Sequence, residues 1–143
     1  MRQELIFLPV VAMVFLTVVV WVWMYVVRLS EMRAQHIDPQ QLASRRSGAA
    51  LLANTAPADN FMNLLEVPVL FYVLAILLYL SHRVDAAYLW LAGLFVCLRY
   101  AHSIIHITYN RVVDRFFVYV AGTLVLWVLW ARFALGLLRQ IVE

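Results

Sequence analysis

The fold can be predicted outward from ten residues, Asp59-Asn60-Phe61-Met62-Asn63-Leu64-Leu65-Glu66-Val67-Pro68. They begin an apolar run that continues to Leu80. Ionisable side chains inside a membrane span are costly, so they normally face the interior of a helix bundle and pair with another group. On a helix, Asp59, Asn63 and Glu66 follow i, i+4, i+7 spacing and share one face. The sequence therefore predicts a membrane-spanning helix with a polar stripe.

The composition is typical of an integral membrane protein. Of the 143 residues, 66% are hydrophobic and 13% are charged, and the mean hydropathy is +0.87. Soluble domains carry roughly 25% charged residues. A run of about 20 apolar residues crosses the hydrocarbon core of a bilayer, and the chain has four such runs. We therefore expect one all-α domain, residues 1–143, built as a four-helix membrane bundle. Its spans are predicted at about 5–27, 57–80, 86–108 and 115–138, with a polar loop at about 29–56.

The net charge of +3 comes from arginine, because the chain has eleven arginines and no lysine. In a membrane protein such charge bears on orientation and lipid headgroups, and we expect no nucleic-acid partner. The loop side carries six arginines and the opposite side four, which predicts a cytoplasmic loop with both termini outside. The six are Arg28, Arg33, Arg45, Arg46, Arg111 and Arg115; the four are Arg2, Arg83, Arg132 and Arg139.

A second polar stripe, Arg99, His102 and His106, lies on the third predicted span. The turn between the second and third spans is short, so these helices are predicted to be antiparallel neighbours. Residues at equal depth would then face each other, and the two stripes match position by position. The predicted pairs are Glu66 with Arg99, Asn63 with His102, and Asp59 with His106.

Two interpretations of this cluster remain open. One is a buried Glu66–Arg99 ion pair that fixes the register of two helices. The other is a polar cleft, open to the cytoplasm, that holds an anionic ligand, as the excess of basic groups favours. His102, His106 and Glu66 also form a possible two-histidine, one-carboxylate metal set. Pairing with Arg99 would occupy Glu66, so we expect no metal.

Three motifs resemble those of the MAPEG family, the membrane-associated proteins in eicosanoid and glutathione metabolism. They are Asn63-x-x-Glu66 followed closely by a proline, Arg99-x-x-His102, and Asn110-Arg111-x-x-x-Arg115. Length, four spans and the long first loop are also similar, so the resemblance covers essentially the whole chain. It implies a homotrimer that holds glutathione between neighbouring subunits near the cytoplasmic side. The chain looks like a divergent bacterial-type member, expected in a bacterial inner membrane.

The resemblance also implies roles for individual residues. Glutathione has two carboxylates and an ammonium group, which suit arginines and a carboxylate respectively. A nearby arginine would lower the pKa of the thiol from about 8.5. Many family members carry arginines where this chain has Asp59 and Met62, and an aspartate would repel a glutathione carboxylate. The stripes and the resemblance together give Arg28, Asp59, Asn63, Glu66, His102 and His106 as predicted cofactor-binding residues, and Arg99, Tyr109, Arg111 and Arg115 as predicted catalytic residues.

The resulting functional hypothesis is a membrane-embedded transferase or peroxidase that depends on glutathione. It resembles a glutathione S-transferase of MAPEG type and would act on a lipophilic electrophile that the membrane lipid delivers. The alternative is a non-catalytic binding or scaffold protein that keeps the fold and uses a structural Glu66–Arg99 pair. A small transporter or channel component fits the single polar cluster less well.

Overall fold

The computed structural model describes residues 2–42 and 51–142, and all regular structure in these two ranges is helical. The predicted loop arginines Arg45 and Arg46 lie outside the described residues. Two short 3-10 helices, Gln3–Ile6 and Pro39–Leu42, precede the first long helix and follow it, respectively. The α-helices are α1 (Phe7–Ala34), α2 (Ala56–Leu65), α3 (Val67–Leu80), α4 (Ala86–Ile107) and α5 (Val112–Val142).

Four segments are long and apolar enough to cross a membrane, which confirms the predicted four-helix membrane bundle. The segments are Gln3–Ala34, Ala56–Leu80, Ala86–Ile107 and Val112–Val142. The first and last are longer than predicted, because the helices continue through polar residues such as Arg28 and Arg139. Long basic side chains at such helix ends can reach the membrane surface while their stems stay in the apolar region.

The second span is broken at Glu66, whose backbone angles are φ −93° and ψ −99°. Pro68 explains the break, because a proline has no N–H and its ring would collide with the carbonyl of Leu64 in a continuous helix. Val67, directly before the proline, is also restricted in the helical region. The predicted common face of Asp59, Asn63 and Glu66 therefore does not continue through this point, and the Glu66 side chain is exposed.

The apolar core lies where α1, α3, α4 and α5 meet. The rings of Phe71 on α3 and Phe95 on α4 have centroids 4.8 Å apart. The Tyr100 hydroxyl of α4 donates to the carbonyl of Ala12 on α1 at 2.8 Å. α4 packs most extensively against α5, and this pairing positions the polar groups described next.

Candidate functional site

The polar stripe of α4 is buried and faces α5. Arg99, His102 and His106 are 1%, 3% and 2% exposed. Opposite them, α5 carries Arg115, Tyr119 and Thr123, spaced i, i+4, i+8 and therefore on one face. Polar residues at equal depth therefore do face each other across an antiparallel helix pair, but the pair is the third and fourth spans. We call these six side chains the α4–α5 ladder.

Arg99 lies at the deep end of the ladder. Its guanidinium Nη2 donates to the Thr123 hydroxyl at 3.4 Å. The guanidinium carbon is 4.8 Å from the ring centroid of Tyr119 and 5.2 Å from that of Phe95. Cation–π contacts of this kind are worth about 2 kcal/mol when desolvated. They do not use the N–H groups, and Arg99 Nε and Nη1 have no hydrogen-bond partner.

The shallow end of the ladder lies at the turn between α4 and α5. Arg115 Nη1 is 3.1 Å from His106 Nε2 and donates to Asn110 Oδ1 at 2.7 Å. Asn110 has a left-handed backbone with φ 47°, which asparagine adopts more readily than most residues. Because arginine only donates, His106 Nε2 accepts and the imidazole proton lies on Nδ1. The His102 ring lies between, 5.6 Å from His106 and 5.7 Å from Tyr119.

The ladder and its neighbour α2 contain buried hydrogen-bond donors that lack acceptors. Ser103 on α4 donates to Asn60 Oδ1 on α2 at 3.1 Å, which joins the two helices. Asn60 Nδ2 has no partner, and neither has His106 Nδ1. With the two nitrogens of Arg99, four buried nitrogen atoms in this region lack a partner. All four carry N–H groups, so each could donate to an acceptor such as a carboxylate oxygen.

The predicted Glu66–Arg99 ion pair is wrong for this chain. Glu66 is exposed and Arg99 buried, and no salt bridge joins them. The break caused by Pro68 removes Glu66 from the face that Asn60 presents to α4. Asn63 is half-buried, and Asn60 takes the interhelical contact that was predicted for Asn63. Within the described ranges, no group of three His, Cys, Asp or Glu side chains could hold a metal ion.

A second polar region lies on the other side of α2, against α1. A pocket of about 520 Å³ there is lined by Arg28 and Asp59, together with Asn54, Thr55 and six apolar residues. The Asp59 carboxylate accepts from the Thr55 hydroxyl at 3.2 Å. The backbone N–H of Asn54 donates to Glu31 at 3.0 Å, which ties the end of the loop to α1. Asp59 therefore lines this Arg28–Asp59 pocket, and no hydrogen bond or salt bridge joins it to His106.

The remaining predicted residues lie outside the ladder and the pocket. Tyr109 is 61% exposed, and Arg111 is exposed with its Nε 3.9 Å from the Asp114 carboxylate. Glu66 and Asn63 do not line the Arg28–Asp59 pocket. The structure thus places four of the ten predicted residues in the α4–α5 ladder and two in the Arg28–Asp59 pocket. The other four lie outside both: Asn63 is half-buried, and Glu66, Tyr109 and Arg111 are exposed.

Sequence reasoning missed four residues of the buried cluster: Asn60, Ser103, Tyr119 and Thr123. A signal for two of them exists in the chain. Arg115, Tyr119 and Thr123 recur at helical spacing after a short turn, so equal-depth matching predicts them opposite the stripe of α4. Asn60 and Ser103 are each adjacent to a residue that was selected, and no pattern distinguishes them from their neighbours.

Comparison with known proteins gives one match. The model of the MAPEG family matches residues 6–135 of the chain. Neither the curated proteins nor the solved structures give a match.

Proposed function

The chain belongs to the MAPEG family, and on that premise we propose that it is a glutathione-dependent transferase or peroxidase acting on lipophilic electrophiles. The observation that carries the proposal is the Arg28–Asp59 pocket, which presents a cation and an anion on the walls of one cavity. Glutathione is a zwitterion and needs both. The pocket volume of about 520 Å³ lies within the range of small-molecule sites.

The residues of the pocket fit the polar groups of glutathione. Arg28 would bind a carboxylate through charge-assisted hydrogen bonds, and Asp59 would bind the ammonium group. The amide of Asn54 and the hydroxyl of Thr55 add neutral hydrogen-bonding groups, and Phe61 is among the apolar residues that complete the wall. Asp59 stands where many family members have an arginine, and it would repel a glutathione carboxylate there. Beside Arg28 it would instead bind the ammonium group.

The α4–α5 ladder supplies the positive potential that thiolate chemistry needs. Glutathione, when bound, would contribute a thiolate sulfur that bonds to an electrophilic carbon and displaces its leaving group. With a hydroperoxide, two glutathione thiols would be oxidised to the disulfide as the hydroperoxide is reduced to an alcohol and water. Arg115 is half-buried and held by Asn110 and His106, so its charge is fixed near the membrane surface and favours an anion. Arg99 has two nitrogens without partners. Its charge would add to the positive electrostatic potential deeper in the bundle.

Calorimetric titration of the purified protein in detergent with glutathione tests the proposal. We expect Arg28→Gln and Asp59→Asn each to weaken binding by about tenfold, since each removes one charge-assisted contact. N-acetylglutathione lacks the ammonium group, so wild type should bind it more weakly than glutathione, whereas Asp59→Asn should bind both equally. Arg33→Gln is the matched control, because Arg33 is an exposed arginine near the end of the same helix.

Activity provides the second measurement. With 1-chloro-2,4-dinitrobenzene as electrophile, we expect Arg115→Gln to slow turnover at saturating glutathione, because thiolate would form less readily. Absence of binding at millimolar glutathione would contradict the proposal and favour the non-catalytic scaffold. Binding without turnover would favour the scaffold as a glutathione-binding protein.

We also propose that the protein is a homotrimer. In a single chain the Arg28–Asp59 pocket and the α4–α5 ladder lie on different sides of α2, so neither contains all of the groups that the reaction needs. A trimer can place the α4–α5 turn of one copy beside the pocket of the next. The mass of the detergent-solubilised protein, corrected for bound detergent, should equal three chains, and a monomeric mass with full activity would contradict this arrangement.

A further inference from the structure

A separate charged cluster lies at the opposite end of the bundle, where α3 joins α4 and α5 ends. A cavity of about 690 Å³ is lined there by three arginines and one aspartate, with apolar side chains of α5 on its inner wall. The charged residues are Arg83, Arg132, Arg139 and Asp85. The proposed glutathione chemistry uses none of them, so the inference below does not depend on it.

One arginine of this cluster is neutralised by the aspartate. Arg132 Nη1 donates to Asp85 Oδ1 at 2.8 Å and Nη2 donates to Oδ2 at 2.5 Å. The same guanidinium lies 4.0 Å from the ring centroid of Tyr88. The Arg132–Asp85 pair lines the cavity, and the positive charge of Arg132 is neutralised by the negative charge of Asp85.

The other two arginines have no carboxylate partner among the described residues. Arg83 is half-buried, donates to the side-chain oxygen of Gln140 and lies 5.7 Å from the ring centroid of Phe133. A Cβ at Gly136 would lie 3.1 Å from Arg83 Nη1, so the glycine makes room for the guanidinium against α5. Arg139 is exposed on the same cavity. Within residues 2–42 and 51–142, these two positive charges are therefore not neutralised by a carboxylate.

The rest of the cavity wall matches the apolar part of an amphiphile. Val128 and Leu135 line it and are 53% and 57% exposed. From Arg139 to Val128 the distance along the helix axis is about 16 Å. Along α5 the wall runs from Arg139 past Leu135 and the neutralised Arg132–Asp85 pair to Val128. Its net positive charge therefore lies at the helix end, and its deepest residue is apolar. A phospholipid has the same order of chemical groups along its length.

We propose that this cavity binds an anionic phospholipid, with the phosphate between Arg83 and Arg139 and an acyl chain along Val128 and Leu135. Arginine recognises phosphate through two parallel hydrogen bonds. The anionic phosphate, placed between the two guanidinium groups, would accept hydrogen bonds from both. A zwitterionic lipid carries an extra ammonium group and would bind more weakly beside the guanidinium groups.

Native mass spectrometry of the delipidated protein tests this assignment, with phosphatidylglycerol and phosphatidylcholine of identical acyl chains as probes. Wild type should retain one phosphatidylglycerol at concentrations that give no phosphatidylcholine adduct. The double variant Arg83→Gln/Arg139→Gln should lower that retention by about tenfold or more. Arg2→Gln/Arg33→Gln removes the same charge from exposed positions elsewhere and should retain the lipid as wild type does.

A second variant tests the cavity without changing its charge. Gly136→Leu would fill the space beside Arg83 and should reduce phosphatidylglycerol retention, whereas Gly93→Leu adds the same side chain where nothing lies within 4 Å of the new Cβ. Equal retention of the two lipids by wild type, or unchanged retention by the arginine double variant, would overturn the proposal. Stabilisation by inorganic phosphate without any preference for phosphatidylglycerol would show that the site takes a soluble phosphate and would overturn the lipid assignment.

Discussion

Arg99 has the environment that is hardest to explain by packing alone. A charged side chain that is 1% exposed needs compensating hydrogen bonds, yet Arg99 makes one long contact to Thr123 and leaves two nitrogens without partners. The rings of Tyr119 and Phe95 offset only part of the cost of desolvation. A residue kept for helix register would be expected to have an ion-pair partner, which Arg99 lacks within the described chain.

This argument predicts the effect of Arg99→Met on stability. Methionine fills a similar volume without charge, so we expect the free energy of unfolding to be unchanged or to rise by about 1 kcal/mol. Glutathione-dependent turnover should fall, since the positive potential of the ladder would be reduced. Unfolding by sodium dodecyl sulfate in mixed micelles, followed by circular dichroism, measures the first effect, and the conjugation assay measures the second.

Arg99→Ala serves as the comparison for this prediction, because it removes the charge and also leaves a cavity. It should therefore be less stable than Arg99→Met. A loss of more than about 2 kcal/mol in Arg99→Met itself would mean that the guanidinium stabilises the bundle. In that case the scaffold hypothesis would explain the residue better than the catalytic one.

At the scale of helices, the sequence predicted which residues are polar and buried but not which helix they face. The stripe Arg99, His102 and His106 was recognisable from its spacing in an apolar run. Its partner was not, because α4 has a short antiparallel connection on both sides and equal-depth matching applies to each. The carboxylate of Glu66 made α2 the more plausible choice. The effect of Pro68 on the direction of Glu66 depends on tertiary structure, which periodicity does not describe.

The pocket between α1 and α2 was less predictable than the ladder. Arg28 was named only through the family resemblance, and Asp59 was assigned to the stripe facing His106. Adjacent helical residues point about 100° apart, and here Asn60 contacts Ser103 of α4 while Asp59 lines the pocket beside α1. Whether Asp59 or Asn60 contacts α4 depends on how α1 and α4 pack around α2. No sequence motif predicts that packing.

The ion pair between Asp85, at the start of α4, and Arg132 of α5 gives a prediction about pH. The hydrogen bonds from Arg132, opposed in part by burial, lower the pKa of the Asp85 carboxyl from 3.8 to about 2. A carboxyl with a lowered pKa contributes stability above its unfolded value of 3.8 and loses this contribution as the pH falls towards 2. Because the Asp85 side chain is 48% exposed, solvent screening limits the contribution to about 1 kcal/mol.

Asp85→Asn should therefore lower the free energy of unfolding by about 1 kcal/mol at neutral pH. Asparagine also accepts from the Tyr88 N–H as an N-cap, so the substitution isolates the charge. The difference from wild type should shrink as the pH falls from 4 to 2. Asp114→Asn, which removes a longer 3.9 Å contact to an exposed arginine, is the control. A difference that stays constant across this range would contradict the role of the Arg132 pair.

The whole molecule places two different polar sites at opposite membrane faces. Arg28, Asp59 and Arg115 lie near the end where α1 and α4 finish, and Arg83 and Arg139 lie near the end where α3 and α5 finish. The apolar surface between them is extensive, with residues such as Trp90 and Leu8 largely exposed, as a lipid-facing surface requires. The proposed glutathione function therefore depends on which face is cytoplasmic.

Cysteine labelling in intact bacterial cells tests the predicted orientation. Cys97 is the only cysteine of the chain, so Cys97→Ser gives a background without thiols. In that background, we expect a membrane-impermeant maleimide to label Ser81→Cys from outside and Gln35→Cys only after permeabilisation, because both positions are exposed and lie at opposite ends of the bundle. The reverse pattern would open the Arg28–Asp59 pocket away from cytoplasmic glutathione, and the proposed enzyme would then lack access to its cofactor.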